Sequence, residues 1–390
     1  MKICMIVYSY YISDSRVRRE AEALVERGDE VEVFCLKHHD QEMNKIRLNG
    51  VTVHRIQTRK INEKGPLKYL FKLIRFVCVS AIYVTIHHFR NKFDVIHIHS
   101  VPDFLVFAAF IPKMMGVKVI LDIHDLVPEF YARKFKLEES HRIVRFLKWI
   151  EKVSARFANH VLTVTEMWRQ KIINRSVTDD KCTVLLNVPD TKIYRPVAQK
   201  RRKNNGFTLI YPGNLGEHWG VDIAIKAMPM IKNQIPDVKL NIIGEGKVLD
   251  SLLQLTGELK LEDHVYFSKQ AIPVEDVPEW IHNADVGIVP KRGSTFASEA
   301  LSTKLLEFVA MGVPVVVSRT KASQTYFDDS MVMFFEPENE KDLARCVIDL
   351  YHSPAKRKEL VHNANRFNEK HNWERYKNIY YNVIDGLCRN

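Results

Sequence analysis

The sequence predicts an α/β protein of two doubly wound domains, each with a mainly parallel sheet covered on both faces by helices. Its 390 residues are about twice the length of a typical single domain. Short apolar runs alternate with helical patterns through the first half, and the alternation starts again after a polar stretch at 197–206. Hydrophobic residues make up 46% and charged residues 27%, which is the balance of a folded protein with two cores.

The domain boundaries follow from the break in this alternation. We place the first domain at 1–196, a linker at 197–206 and the second domain at 207–370, and we expect a C-terminal helix of about 371–390 to pack back on the first domain. The strands predicted in the first domain are Ile3–Tyr8, Val31–Leu36, Val51–Ile56, Val95–His99, Val117–Asp122, His160–Val164 and Thr183–Leu186. Those predicted in the second are Phe207–Tyr211, Val238–Ile243, His264–Phe267, Val286–Val289, Val313–Val317 and Val332–Phe335. Helices are predicted at Ser15–Arg27, at Glu340–Leu350 and from Ala355 to the C-terminus.

The cysteines and the N-terminus indicate the compartment. Six cysteines are scattered along the chain without a CxxC pair. This spacing argues against zinc sites and a disulfide framework, and it is typical of reduced, mostly buried thiols in a cytosolic protein. Because Met1–Tyr8 runs directly into an apolar strand pattern, we expect no signal peptide.

The net charge of +11 suits an anionic partner. Nucleic acid, an anionic membrane surface and phosphorylated ligands all have the required charge. The sequence contains no zinc finger and no basic strand interleaved with aromatic residues, so we expect no nucleic-acid partner. A phosphorylated ligand and a membrane surface remain as the expected partners.

Residues 60–92 raise the question of membrane contact. The basic residues Lys60, Lys64, Lys68, Lys72 and Arg75 lead into the uncharged run Phe76–Ile86. That run is shorter than the about 18 apolar residues that a spanning helix needs. Two interpretations stay open, namely a basic amphipathic helix lying on an anionic leaflet and a core helix of the first domain with a solvated basic start. The first interpretation predicts a cytoplasmic protein that is peripheral at the inner face of the plasma membrane.

The segment 296–316 carries the most chemical information. Its sequence, FASEALSTKLLEFVAMGVPVV, predicts a loop, a helix that begins near Ser302, a stop at Gly312 and a buried strand. Lys304 lies in the first helical turn, where the helix dipole disfavours a cation unless an anion such as a diphosphate binds there. Glu307 follows on the same face, where its carboxylate can accept two hydrogen bonds from ribose hydroxyls. On spacing alone, a solvated Lys–Glu helix pair is the favoured alternative.

A glycine-rich turn follows the first strand of the second domain. The segment Tyr211–Asp222 reads YPGNLGEHWGVD. Gly213 and Gly216 allow backbone amides to approach a phosphate closely. A strand, a glycine turn and a helix in this order are typical of diphosphate binding, although turns of this kind need glycine for their geometry alone.

Histidines mark the ends of two strands in the first domain. His124 ends the strand in the segment 119–129, at the place where side chains face a ligand crevice. A single histidine is on its own more often structural than functional. His97 and His99 alternate on another strand, and we interpret them as scaffold or cleft wall, because no carboxylate or third histidine has the spacing of a metal site.

These segments resemble the family 4 retaining glycosyltransferases, and the resemblance runs from Met1 to about Tyr381. Glu299 and Glu307 have the eight-residue spacing of the paired glutamates in that family's donor-binding signature. The run Ser302–Val315 resembles the polysaccharide-biosynthesis branch, in which the first glutamate is often absent. The resemblance implies the GT-B fold, in which two Rossmann-like domains face an interdomain cleft. It also implies a nucleotide-sugar donor, with UDP favoured as the nucleotide, and no metal or other cofactor.

The resemblance also implies roles for particular residues. Glu307 holds the donor ribose, the amides of Ser302–Leu305 meet the diphosphate together with Lys304, and Glu299 touches the donor sugar. His124 lies near the donor sugar and the reacting oxygens, so His124, Lys304 and Glu299 are the catalytic candidates. The donor-binding candidates are Gly213, Asn214, Gly216, Lys291, Arg292, Ser302, Thr303, Lys304, Leu305 and Glu307.

The donor turn departs from the family pattern. Many relatives carry an arginine and a lysine in this turn, where the present chain has Asn214 and Trp219. This departure puts more weight on the remaining basic candidates, which are Lys304, Lys291, Arg292 and His218.

The acceptor-side candidates come from two loops of the first domain. The loop 8–15 lacks the two glycines of many relatives and contains Ser13, and Arg16 follows it, where it would meet an acceptor phosphate. A solvated helix start is the alternative interpretation of Arg16. Asp125 and Glu129, which follow His124, complete this set. The acceptor that we expect is a glycan or a lipid-linked molecule.

The residues also bear on the mechanism and on rival functions. No Asp-x-Asp pair is placed to bridge a metal and a diphosphate, and no side chain stands out as a covalent nucleophile. A front-face substitution that retains the anomeric configuration fits both facts. The alternatives are a nucleotide-sugar epimerase of the same shape and an inactive, membrane-associated partner subunit of a transferase. A nicotinamide oxidoreductase is disfavoured, because neither half has a GxGxxG turn with an acidic residue about 20 positions later.

Overall fold

The computed structural model describes residues 1–59, 66–196, 206–293 and 296–389, and the chain forms two compact units. Unit 1 comprises Met1–Asn187 with Glu374–Asn390, and unit 2 comprises Val188–Trp373. The linker expected at 197–206 lies outside the described residues except for Gly206, and so do Lys60 and Lys64.

Unit 1 is built on an eight-stranded sheet. Its strands are β1 (Lys2–Val7), β2 (Glu30–Lys37), β3 (Lys45–Leu48), β4 (Val51–Thr58), β5 (Val95–His99), β6 (Lys118–Ile123), β7 (His160–Thr163) and β8 (Cys182–Val184). They lie in the order β3-β4-β2-β1-β5-β6-β7-β8, and all neighbours are parallel except β3 and β4. The antiparallel β3–β4 hairpin turns through Asn49 and Gly50, both of which have a positive φ. The sequence analysis did not predict β3.

Six helices cover this sheet. They are α1 (Ser15–Arg27), α2 (Pro66–Asn91), α3 (Phe110–Met114), α4 (Val127–Lys134), α5 (Arg142–Phe157) and α6 (Glu166–Arg175). Helix α1 ends at Gly28, whose φ of 97° requires the left-handed conformation that glycine adopts without strain. Helices α2, α3 and α5 each connect strands in the same direction across the sheet, so right-handed crossovers place these three helices on one face.

Unit 2 is built on a six-stranded sheet that is entirely parallel. Its strands are β9 (Thr208–Pro212), β10 (Lys239–Ile243), β11 (Val265–Phe267), β12 (Val286–Val289), β13 (Val315–Ser318) and β14 (Met333–Phe335), in the order β11-β10-β9-β12-β13-β14. Its helices are α7 (Val221–Gln234), α8 (Leu249–Glu258), α9 (Val277–His282), α10 (Thr303–Ala310), α11 (Lys321–Tyr326), α12 (Glu340–His352) and α13 (Pro354–Lys370). The strand order reverses between β9 and β12, so the segments that follow these two strands lie side by side at a switch point of the sheet.

The helical pattern that runs from Ala355 to the C-terminus contains two helices, and the second starts close to the expected residue 371. Helix α13 ends at Lys370, and α14 (Trp373–Arg389) follows it. From Glu374 onward α14 belongs to unit 1, where the Tyr381 hydroxyl donates a hydrogen bond to the Ala23 carbonyl at 2.5 Å. All six cysteines are free thiols, and four of them are buried.

Candidate active site

In unit 2, the N-terminus of helix α10 presents hydrogen-bond donors that have no acceptor in the described part of the chain. Ser302 is the N-cap residue, and the buried side chains of Leu305 and Phe308 anchor the helix in the core. The amides of the first helical turn have no acceptor within the helix. The buried Ser302 hydroxyl has no hydrogen-bond partner among the described residues. Together these donors can bind a phosphate, and the helix dipole favours its negative charge.

Lys304 places an ammonium group beside this helix end. Its side chain is buried, and Nζ lies 4.2 Å from the centre of the Trp219 ring and 5.2 Å from that of Tyr211. In the part of the chain that the structure describes, no carboxylate lies within ion-pair distance of this nitrogen. Burial lowers the pKa of Lys304 to about 8, against the opposing effect of the Glu307 charge. The site therefore holds a cation whose charge is poorly compensated, and an anionic ligand would stabilise it.

Trp219 lies against a second buried lysine. Lys291 Nζ lies 5.1 Å from the centre of the Trp219 ring and donates a hydrogen bond to the Ala300 carbonyl at 2.5 Å. An ammonium group over an indole face contributes about 0.5–2 kcal/mol. Trp219, which stands where many relatives have a basic residue, therefore contacts the ammonium groups of both Lys291 and Lys304.

The glycines of the turn after β9 leave room for Lys304. Gly213 has a φ of 111°, and a Cβ atom there would lie 2.7 Å from Lys304 Cε. A Cβ atom at Gly216 would lie 2.9 Å from His218 Cε1. Asn214 is exposed, and its carbonyl accepts a hydrogen bond from the Tyr211 hydroxyl at 2.8 Å. At Gly213 the turn thus brings backbone close to the lysine, while the Trp219 and Tyr211 rings of the same segment supply its side-chain contacts.

Glu307 lies one turn along α10 from Lys304, as the spacing predicts. Burial raises the pKa of Glu307 to about 7, although the Lys304 ammonium opposes this change. The carboxylate is ionised above that pH and can then accept hydrogen bonds from a diol such as a ribose.

The other donor-side candidates have different surroundings. Arg292 is held by the Glu217 carbonyl at 2.9 Å and by the Asp222 carboxylate at 2.7 Å, so its guanidinium is tied to the start of α7. Burial lowers the pKa of His218, and the nearby charges of Lys291 and Lys304 lower it further. Glu299 is buried at the end of the 3-10 helix Phe296–Glu299.

In unit 1, His124 lies just beyond the end of β6. Its side chain is 24% exposed, and its Nδ1 lies 3.8 Å from Oδ2 of the fully buried Asp122. Burial opposes the charged form, but the Asp122 carboxylate, with a further effect of Asp125, raises the pKa of His124 to about 9. At 3.8 Å the two atoms are too far apart for a hydrogen bond, so Asp122 acts on His124 through its charge.

Arg16 is buried beneath this histidine. Its guanidinium donates two hydrogen bonds to Asp122, at 2.7 and 3.0 Å, and one to the Leu185 carbonyl at 3.0 Å, and it lies 3.2 Å from Glu20. Two buried carboxylates therefore share one cation. These contacts give Arg16 a role in positioning Asp122, and its side chain is only 5% exposed.

His97 and His99 are buried in the same cluster. His97 Nδ1 lies 2.8 Å from the Tyr380 hydroxyl, and His99 Nδ1 lies 3.2 Å from Asp122 Oδ2. Burial, with a smaller electrostatic effect of the neighbouring His99, lowers the pKa of His97 well below its usual range. The carboxylates of Glu20, from α1, and Asp122, from β6, lie with these two rings, and the four ligand atoms are within 4.8 Å of one another. The prediction from sequence that no carboxylate accompanies the two histidines was therefore wrong.

The acceptor-side candidates differ in how far their side chains are exposed to solvent. Ser13 and Asp125 are exposed, and the Ser13 hydroxyl donates to the Tyr10 carbonyl at 3.2 Å. Glu129 is buried and accepts two hydrogen bonds from Arg175, at 2.6 and 3.0 Å. Glu129 therefore joins α4 to α6 through Arg175.

Asp122 and the Trp219 ring are functional groups that the sequence analysis missed. Asp122 precedes His124 by two residues, and the period of a strand places both side chains on one face. That spacing was the available signal for Asp122. The role of Trp219 required the fold, because Lys291 and Lys304 come from distant segments.

Two family models match the chain. Residues 14–187 match the model described as glycosyl transferase 4-like domain, and residues 195–367 match the model described as glycosyl transferases group 1.

The chain is also similar to curated proteins. It is 33% identical over 138 residues to the GDP-mannose-dependent alpha-(1-6)-phosphatidylinositol monomannoside mannosyltransferase of Mycolicibacterium smegmatis, across 35% of this chain and 36% of the relative. This match therefore spans about a third of that relative's length. The D-inositol 3-phosphate glycosyltransferase of Pseudarthrobacter chlorophenolicus is 22% identical over 402 residues, across 95% of this chain and 90% of the relative.

Solved structures share the fold. The sucrose-phosphate synthase from Thermosynechococcus elongatus superposes with a TM-score of 0.81 at 18% identity, across 99% of each chain. The Anabaena protein HepE, in complex with UDP and glucose, superposes with a TM-score of 0.75 at 16% identity, across 99% of this chain and 100% of the other.

Proposed function

Because the chain belongs to the family 4 glycosyltransferases of GT-B fold, we propose that it moves a sugar from a nucleotide-diphosphate sugar to a glycan or lipid-linked acceptor with retention of anomeric configuration. The observation that carries this proposal is the buried Lys304 ammonium beside the N-terminus of α10, over the Trp219 ring. A cation in this position requires an anionic ligand, and a diphosphate fits the adjacent amides and the Ser302 hydroxyl.

The donor would bind along α10. Its diphosphate would accept hydrogen bonds from the first-turn amides and from Lys304, while Lys291 adds a second positive charge nearby. The Glu307 carboxylate would accept hydrogen bonds from the ribose hydroxyls. The two lysines supply the charge that a diphosphate leaving group needs, which supports a metal-independent reaction.

The chemical step would be a front-face substitution. The bond between the anomeric carbon and the diphosphate oxygen breaks, and the acceptor oxygen forms its bond on the same face. The acceptor proton passes to the departing phosphate oxygen. Negative charge develops on that phosphate, where Lys304 and the helix amides stabilise it more strongly than in the ground state. The family resemblance alone assigns His124 to the oxygens of the transferred sugar, and we keep that assignment as part of the proposal.

The nucleotide, the acceptor and the location are parts of the same proposal. UDP is supported by the HepE structure, which holds UDP and glucose. A lipid-linked acceptor is supported by relatives that are named for phosphatidylinositol or dolichol substrates. We therefore place the enzyme in the cytoplasm, peripheral at the inner face of the plasma membrane, in cell-surface polysaccharide synthesis.

A transfer assay with excess EDTA tests the reaction class. We expect donor turnover to continue in EDTA and NMR to show a product with the anomeric configuration of the donor. Inversion at the anomeric carbon, or turnover that requires a divalent cation, would contradict the proposal. Incubation of the donor without acceptor is the control, because formation of an epimer there would indicate a nucleotide-sugar epimerase instead.

A further inference from the structure

Helix α2 has two apolar stripes, and only one of them is buried. The residues that pack on the sheet recur every three or four positions, and they are Leu73, Phe76, Ser80, Val84 and His88. A second stripe with the same spacing is exposed, and its members are Phe71, Ile74, Cys78, Ile82, Ile86 and Phe89. A helix on the surface of a globular protein ordinarily has a polar outer face.

The segment Lys68–Asn91 is long and apolar enough to cross a membrane, and only 22% of its most apolar window is buried in the fold. The helix is attached to the sheet along its length. The Gln57 side chain donates to the Lys72 carbonyl at 3.0 Å, and His87 Nδ1 lies 2.9 Å from the Glu32 carboxylate. Helix α2 therefore lies flat on unit 1, with its second stripe facing outward.

Helices α3 and α5 extend this exposed apolar surface on the same face of the sheet. On α5 the exposed apolar residues are Ile143, Phe146, Trp149 and Val153, and at α3 they are Phe110, Ile111, Met114 and Met115. The two helices are in contact, because the Lys113 ammonium donates to the Phe157 carbonyl at 2.5 Å. We call the exposed apolar residues of α2, α3 and α5 the apolar face. Contiguous exposed patches above a few hundred Å² are rare in monomers and mark interaction sites.

The charges around the apolar face are mostly positive, although Lys148 of α5 pairs with the exposed Glu139 at 2.9 Å. The sequences of α2, α3 and α5 contain ten lysines and arginines and a single acidic residue, Glu151. Glu151 is buried and paired with Arg175 at 2.5 Å, so it contributes no negative charge to the surface. On the exposed side of α5, Arg142, Arg145 and Arg156 alternate with the apolar residues.

The positive charge of the apolar face indicates which kind of partner binds there. A second copy of the chain would bring like charges together, which is unfavourable. The core of a protein interface is ordinarily depleted of charged residues, whereas cations and bulky apolar side chains are interleaved along α5. That combination is typical of helices that lie in the interface of an anionic membrane.

A basic cavity lies beside α5. Its volume is about 410 Å³, and its basic lining residues are Lys152, Arg156 and Lys181, together with Arg175, whose charge is paired with Glu129 and Glu151. Burial lowers the pKa of nearby Lys113, and the charges of Lys181 and Lys118 lower it further. These three lysines are therefore close enough to affect one another. The cavity is of suitable charge for the phosphate of a lipid headgroup.

We propose that the apolar face of unit 1 lies on an anionic lipid leaflet, with its aromatic and aliphatic side chains among the acyl chains and the cavity cations on lipid phosphates. This inference rests on the proposed function, because membrane binding would bring the enzyme to a lipid-linked acceptor. Lipid binding itself needs no nucleotide sugar and no turnover, so the two proposals can fail separately.

Co-sedimentation of the full chain with vesicles tests the proposal. The probes are phosphatidylcholine vesicles with and without phosphatidylglycerol, at low ionic strength and near 0.15 M, where the Debye length is about 8 Å. We expect binding to the anionic vesicles that weakens with salt, and at least about tenfold weaker binding without phosphatidylglycerol. Equal binding to both vesicle types, or no binding to either, would overturn the proposal.

Matched variants locate the contact. Phe71→Ser/Trp149→Ser removes two exposed side chains of the apolar face, and Met43→Ser/Tyr266→Ser removes two comparably exposed side chains elsewhere. We expect the first pair to weaken vesicle binding at least about tenfold and the second pair to leave it unchanged. For charge, Arg142→Gln/Arg145→Gln should weaken binding, whereas Lys247→Gln/Lys358→Gln in unit 2 should not.

Two further readouts keep the proposal falsifiable. Lipids brominated in the acyl chains should quench tryptophan fluorescence of the wild type, and Trp149→Phe should lose most of that quenching. Unchanged quenching in Trp149→Phe would contradict the insertion of α5. A dimer that Phe71→Ser/Trp149→Ser abolishes, without vesicle binding by the wild type, would show that the face binds a second copy and would also overturn the proposal.

Discussion

The ammonium nitrogen of Lys304 lies 4.2 Å from the centre of the Trp219 ring. The lysine comes from helix α10, and the ring comes from the 3-10 helix Glu217–Trp219 that follows β9. Their contact joins two segments that meet at the switch point of the sheet in unit 2. The negative face of the ring offsets part of the cost of burying the charge, and it does so without neutralising the cation that a diphosphate would need.

Replacement of Trp219 with leucine tests this relationship. The variant loses the π-face, so we expect the pKa of Lys304 to fall below about 8 and the affinity for the donor nucleotide to fall about 2- to 30-fold, which corresponds to about 0.5–2 kcal/mol. Trp219→Phe keeps an aromatic face and should lose less. Isothermal titration with UDP measures the affinity, and its dependence on pH gives the pKa of Lys304. Trp280→Leu, also in unit 2, is the control, and equal affinity in Trp219→Leu and Trp280→Leu would contradict the assignment.

Donor binding should have a narrow pH optimum. The Glu307 carboxylate, with a pKa raised to about 7, has to be ionised to accept ribose hydroxyls, and Lys304, with a pKa lowered to about 8, has to be protonated to bind the diphosphate. Nucleotide affinity should therefore be highest between about pH 7 and 8 and fall on both sides. Glu307→Gln should remove the acid limb and keep the alkaline limb. A wild-type affinity that is constant from pH 6 to 9 would show that these two groups do not control binding.

The charge of His124 should depend on Asp122. Asp122→Asn removes the negative charge, so we expect the pKa of His124 to fall from about 9 toward its ordinary value of about 6.5. NMR titration of the histidine ring measures this change directly. His160→Gln simplifies the spectrum without touching the cluster, because His160 bonds to Thr183. An unchanged His124 titration in Asp122→Asn would exclude Asp122 as its charge partner.

The same pair makes stability depend on pH. Because the folded-state pKa of His124 is raised, its contribution to the free energy of unfolding is complete below about pH 6.5 and is lost as the pH rises through about 9. The side chain is partly exposed, so we expect a contribution of about 1–2 kcal/mol after solvent screening. Urea unfolding at several pH values should show this loss in the wild type, and His124→Gln should show a smaller change between pH 6.5 and 9.

Arg16 should act through the fold. Arg16→Met leaves Asp122 and Glu20 buried without their cation, and breaking such a pair costs about 3–5 kcal/mol. Arg16→Lys keeps the charge and should cost less, with an unchanged KM for the acceptor. A large rise in acceptor KM in Arg16→Lys, at unchanged stability, would instead support the acceptor contact that the sequence analysis expected.

The sequence was sufficient for the two-sheet architecture and for the α10 segment, because strand and helix periods are local properties. Strand β3 was missed, although the Asn49–Gly50 pair is a hairpin signal, because its four residues alternate too briefly to be distinctive. The contacts of Arg16, Glu129 and Trp219 could not be predicted, since their partners are far apart in sequence and depend on strand order. The exposure of the second apolar stripe of α2 could not be predicted either, because the sequence does not show which apolar side of a helix packs on the sheet.

A thermal-shift measurement with Lys304→Ala tests the central claim most directly. A ligand at 100 times its Kd stabilises the folded state by about 2.7 kcal/mol. We predict that one class among UDP-, GDP- and ADP-sugars raises the Tm of the wild type by several degrees, and that Lys304→Ala loses most of this rise while the exposed control Lys226→Ala keeps it. No rise with any nucleotide sugar, or an equal rise in Lys304→Ala, would contradict a donor site at the N-terminus of α10.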